Sequence, residues 1–130
     1  MRFAIWLVAL PLAFAGEHAD LNGVWKNAGN GENLSIHQKE NEVEIAESGK
    51  EATEIRCNTT GQACKIKGGE VTFWYNGDTL VMMETTHGNA RVIKKRLKVS
   101  EDGKNLEEEI VHISPAGSTE KVSLERQTGS

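Results

Sequence analysis

Long apolar runs are almost missing from this chain of 130 residues. The one exception, "FAIWLVALPLAFA", ends at Ala15. It is shorter than the roughly 20 apolar residues that cross a bilayer, so a spanning helix is not expected. Aromatic residues are also scarce, at 5%. Beyond the first apolar run they come down to Trp25, Phe73, Trp74 and Tyr75. Two cysteines exclude a disulfide-dense scaffold and a four-cysteine zinc site. Basic excess is absent as well: the formal net charge is −4, which disfavours nucleic acid as a partner. Enzyme signatures are missing too. There is no Gly-x-Ser-x-Gly, phosphate loop, dinucleotide fingerprint or His-Glu-x-x-His, and the four histidines are scattered. The chain is therefore read as a non-enzyme that needs no cofactor.

What is present begins with a leader. Arg2, the apolar run and Ala13-Phe14-Ala15 have the order of a secretory signal with a small-x-small cleavage site. Residues 1–15 are expected to be removed, 16–22 to form a flexible tail, and 23–130 to form one domain. The product is expected to be secreted or periplasmic and not inserted in a membrane. Cleavage would leave Gly16-Glu17-His18 at the new terminus. An amino group, two amide nitrogens and the His18 imidazole form a set suited to Cu(II) or Ni(II). Asn33-Leu34-Ser35 and Asn58-Thr59-Thr60 match the glycosylation sequon.

An oxidising compartment favours a disulfide between Cys57 and Cys64. The "NTTGQA" between them reads as a turn, so the bridge is expected to staple a hairpin end. A redox or metal role is disfavoured, because six residues separate the two cysteines and no histidine lies nearby in sequence.

Beyond Asn33 the apolar stretches are short and end in turn residues such as "NGD", "HGN" and "EDGK". Regular short strands of this kind predict an all-β antiparallel up-and-down meander of about eight to nine strands. Charge sets the register. A turn at Asp102-Gly103 places Lys98 opposite Glu107 and Arg96 opposite Glu109, and opposite charges across a ladder are favourable. Turns at Gly88-Asn89 and near Gly77 carry the same inner face to Leu80, Met82, Phe73 and Tyr75. Glu84, Arg91, Lys95, Glu108 and His112 interrupt that face. Buried charges need partners, so these groups should pair, reach a barrel mouth or meet a ligand. Trp74, Val81, Met83, Val92, Val111 and Ile113 fall on the outer face, as ordinary surface residues or as a patch for a protein partner.

Gly23-Val24-Trp25 at the first strand, with Arg126 in the last, resembles the calycin superfamily, which includes the lipocalins. The resemblance spans the mature chain in pattern and looks most like small lipocalin-like proteins exported by bacteria. It implies a closed barrel in which Trp25 plugs one end and the Arg126 guanidinium packs over its ring. The typical mid-chain Thr-Asp-Tyr motif is absent, and so is the carboxylate clamp of the fatty-acid binders. The fold is implied more firmly than any ligand.

Two functions follow from these readings. The first is a barrel that binds a small, partly apolar molecule, with an anionic head group allowed. Its pocket would be walled by Phe73, Tyr75, Met82 and Ile93 and would open opposite Trp25. Lys95, Glu108 and His112 would be its polar anchors, with Lys95 on an anionic head group and His112 making binding sensitive to pH. The alternative is a protein-interaction module, such as an inhibitor of a secreted hydrolase, with a filled core.

Overall fold

The computed structural model describes residues 19–49, 53–88 and 90–127. The leader 1–15 and His18 lie outside the described residues, so neither cleavage nor the terminal metal set has a structural counterpart here.

Ten strands follow one another along the chain. They are β1 (Gly23–Lys26), β2 (Asn33–Gln38), β3 (Glu42–Glu47), β4 (Thr53–Asn58) and β5 (Cys64–Ile66), then β6 (Gly69–Asn76), β7 (Thr79–Thr86), β8 (Arg91–Val99), β9 (Asn105–Ser114) and β10 (Thr119–Arg126). The count exceeds the eight or nine expected. β1 and β5 hold only four and three residues, too few for apolar alternation to stand out. All ten form a single sheet in the order β4-β3-β2-β1-β10-β9-β8-β7-β6-β5, antiparallel throughout. β1 pairs with β10, so the meander curls back on itself. β4 and β5 are the two ends of the order and share no ladder. They nevertheless approach each other, and β4 also approaches β6. The result is a barrel closed everywhere except along one seam.

The predicted register holds from β6 to β9. Phe73 lies opposite Met82, Met82 opposite Lys95, Arg96 opposite Glu109 and Lys98 opposite Glu107. The Arg96 and Glu109 side chains meet at 2.7 Å on the outer face. One irregularity lies between Val92 and Ile93, where the register slips by a residue and leaves Ile113 exposed. Alternation then supplies the core: Val71, Phe73, Leu80, Leu97, Leu106 and Leu124 are all buried. Val81 is buried as well, although it lies on the outer face, flanked across its ladders by Trp74 and Arg96.

The closed end is built around Trp25, which is fully buried. Its indole N–H donates to the Leu21 carbonyl at 2.9 Å. The Arg126 guanidinium carbon stands 4.3 Å from the ring centroid. That guanidinium also donates to the carbonyls of Gly103, Asn22 and Asp20 at 2.8, 2.7 and 3.2 Å. Gly23 belongs to the same device. It has a φ of +130°, and a Cβ there would lie 3.3 Å from an Arg126 nitrogen.

The tail expected over 16–22 is not loose from Ala19 onward. Leu21 is fully buried in the core. Its N–H donates to Gln38 Oε1 at 2.6 Å, and Gln38 Nε2 donates to the Ala19 carbonyl and to the Tyr75 hydroxyl. A leucine that shields the Trp25 plug buries enough apolar area to hold the segment down.

Cys57 and Cys64 are joined, with a Cα–Cα distance of 5.9 Å. The hairpin expected around them is absent, because β4 and β5 are not hydrogen-bonded neighbours. The bridge instead spans the seam.

Candidate functional site

The barrel interior holds a cavity of about 580 Å³. Residues from both halves of the sheet line it. Leu34 and Ile45 come from β2 and β3, Ile55 and Ile66 from the two sides of the seam, and Met82, Ile93 and Leu97 from β7 and β8. These apolar side chains share the inner face because each strand keeps strict alternation: Ile45 lies opposite Ile55 and Ile36, and Leu97 opposite Leu80. The cavity is offset from the plug, and Leu21, Trp25, Phe73 and Leu106 do not line it. It extends toward the strand ends farthest from the plug, where Glu47, Thr53, Lys67, Glu84 and Arg91 form its rim. The mouth expected opposite Trp25 is there.

A second opening runs along the seam. Glu54 and Arg56 sit on the outer face of β4, opposite Ala46 and Glu44, yet both line the cavity. So does Lys65 on β5. The missing ladder lets the interior reach the side wall, with the disulfide at one end of the slit and Ile55 and Ile66 farther along it.

Inside, one cation stands between two carboxylates. Lys95 Nζ lies 3.8 Å from Glu108 on the neighbouring strand β9 and 3.8 Å from Glu47 on β3. The second contact crosses the interior, since β3 and β8 stand five places apart in the sheet. Glu108 is the most enclosed of the three, with its side chain 11% exposed against 20% for Lys95 and 41% for Glu47. Burial pushes the Glu108 carboxyl above its ordinary range. The Lys95 ammonium opposes this, and the Glu47 charge reinforces it.

The structure thus divides the predicted site residues. Met82, Ile93, Lys95 and Glu108 come together in the cavity wall. Phe73 and Tyr75 do not. Phe73 is fully buried in packed core, and the Tyr75 hydroxyl is drawn to Gln38 beside the plug. His112 does not line the cavity either; its Nε2 pairs with Glu120 at 3.0 Å. Lys95, expected to anchor an anionic head group, is already held by two carboxylates. Glu47 was missed in the sequence. It continues the alternation of Val43 and Ile45, but the turns flanking β3 carry no unambiguous two-residue signature from which to fix its neighbours.

Among the described residues no cluster of three or more His, Cys, Asp or Glu has the arrangement of a metal site. No family model matches the sequence, and no curated protein matches it. Similar solved structures do exist. The crystal structure of a single-substitution mutant of the fluorescent protein UnaG is similar with a TM-score of 0.66 at 15% identity, covering 84% of this chain and 97% of that one. Secretory abundant heat soluble protein 4 from Ramazzottius varieornatus is similar with a TM-score of 0.63 at 13% identity, covering 82% of this chain and 94% of that one. At such identities the likeness concerns the fold alone, which is an antiparallel β-barrel.

Proposed function

We propose that the protein is an exported binding barrel, secreted or periplasmic, that holds a small, partly apolar molecule in its interior. The cavity of about 580 Å³ carries this reading. Small-molecule sites fall in the range of roughly 300–1,000 Å³ and pair an apolar wall with a few convergent polar groups. Here the wall is aliphatic, with Met82 as its adaptable member, and the polar groups are Lys95, Glu108 and Glu47. The barrel likeness supports the reading, and so does a similar structure from a protein named as secretory. The Cys57–Cys64 bridge suits an oxidising compartment. The cavity counts against the alternative, a hydrolase inhibitor with a filled core.

The test is titration with laurdan, a neutral solvatochromic amphiphile. Wild-type protein is expected to give saturable, blue-shifted emission. Ile93→Trp, which places an indole in the cavity, is expected to abolish it while the circular dichroism spectrum stays that of the folded barrel. Absence of saturable binding by the wild type would refute the proposal. Binding indifferent to Ile93→Trp would place the probe elsewhere and refute it equally.

A further inference from the structure

Resting on that binding reading, we infer that the ligand is an anionic amphiphile held head-out, with its charge on Lys65, Lys67 and Arg91 at the mouth and its apolar body inward.

The interior disfavours the opposite pose. Lys95 is the one cavity-lining cation that is not exposed, and Glu47 and Glu108 both lie 3.8 Å from it. An anionic head group brought there would meet two carboxylates for one ammonium. Either it displaces a buried partner and leaves that charge uncompensated, or it adds a third negative charge to the cluster. Both are costly in a partly desolvated site.

The mouth has the reverse balance. Lys65, Lys67 and Arg91 all line the same cavity. Lys65 is the middle residue of β5, beside the seam, Lys67 follows that strand and Arg91 starts β8. Among the described residues none of the three makes an ion pair. Lys65 stands opposite Glu70 on β6, but the ion pair of Glu70 is with His87, at 4.0 Å. Three acids share the rim: Glu54 on β4, Glu84 on β7 and Glu47 at the end of β3, the last engaged by Lys95 at 3.8 Å. Arg56 is engaged by Glu44 at 3.0 Å. Three unpaired cations against two unpaired acids leave the rim positive, whereas the one interior cation is already held by two carboxylates. Ile55, Ile66 and Ile93 line the same cavity, an apolar wall suited to a hydrocarbon body. The gradient orients the ligand and draws anions to the slit, where water still stabilises the charged head.

Four probes of matched tail test this by displacement of laurdan: dodecanoate, dodecyl sulfate, dodecanol and dodecyltrimethylammonium. The two anions are expected to bind more tightly than the alcohol, and the cation least tightly. Comparing the two anions separates carboxylate from sulfate chemistry at the same head-group position. Lys65→Glu combined with Lys67→Glu is expected to weaken dodecanoate by about tenfold while leaving dodecanol unchanged, an effect that shrinks at high salt. Lys95→Met is expected to leave the preference for anions intact. Loss of that preference in Lys95→Met, with the mouth variant indifferent, would overturn the head-out pose. A preference for the alcohol or the cation would overturn the anionic class while leaving the binding barrel standing. Failure of all four probes, and of laurdan itself, would overturn the binding reading with it.

Discussion

A single arginine closes one end of this barrel. Arg126 covers the Trp25 ring and donates to three backbone carbonyls, two of them in the segment that precedes β1. We predict that Arg126→Ala lowers stability by about 1–3 kcal/mol in urea denaturation, through lost stacking and through carbonyls left without a donor. Arg126→Lys should not restore it, because an ammonium cannot cover the ring and reach all three acceptors. Glu108 makes a second residue-scale prediction. Its folded pKa is raised above the ordinary 4.5, chiefly by burial. The stabilisation linked to its protonation is therefore complete below that value and is lost as pH rises through the raised pKa. Glu108→Gln removes this loss, so the wild type should fall behind the variant as pH rises above 4.5. Equal slopes for the two proteins would show that the carboxyl is not held up. The Trp25–Arg126 pair was legible in the sequence, because Gly-x-Trp and a terminal arginine stand at recognisable places. Gln38 was not. Nothing in "NLSIHQ" tells that its last side chain will bind the backbone at Leu21 and Ala19 and the hydroxyl of Tyr75.

Strand pairing was legible wherever a tight turn met a charge pattern. Between β6 and β9 the glycine-containing turns and the Lys98–Glu107 and Arg96–Glu109 pairs agree on one register, and one slipped residue would have turned every apolar side chain outward. Between β2 and β4 the turns "KEN" and "SGKE" leave the count open, so Glu47 and the interior ion pair that crosses to it stayed hidden. The cavity share of Phe73 and Tyr75 was misjudged for a related reason. Alternation says which face a side chain takes, but not how far along the barrel axis it sits. Gly69 shows the same dependence on a close ladder. A Cβ there would run into the Thr85 carbonyl of β7. Gly69→Ala should therefore cost about 1–3 kcal/mol, the usual range for overpacking against an unyielding neighbour. A melting temperature unchanged from wild type would contradict the close approach.

At the scale of the whole molecule, a meander that joins its first strand to its last still ends in an open seam. The sequence placed a disulfide correctly, but the role of the bridge was invisible from spacing alone. Cys57 and Cys64 are close in the chain, and a hairpin is the simpler inference from a turn between two strands. Only the pairing of β1 with β10 turns β4 and β5 into opposing edges. Each edge offers backbone N–H and C=O groups that no strand satisfies across the gap. β5 has three residues, and charges at Glu54, Arg56 and Lys65 flank the slit, both familiar guards against strand addition. Reduction of the bridge should cost about 2–3 kcal/mol by loop-closure arithmetic. It also frees the two edges to separate. The β4 edge of one copy would then meet the β5 edge of the next in a head-to-tail contact, which grows into an open filament wherever its rotation does not close a ring. We predict that reduced and alkylated protein polymerises with concentration while oxidised protein stays monodisperse, as read by light scattering; a monodisperse reduced sample would refute it. The covalent clasp that shuts one molecule would then be what keeps a population of them from becoming a fibre.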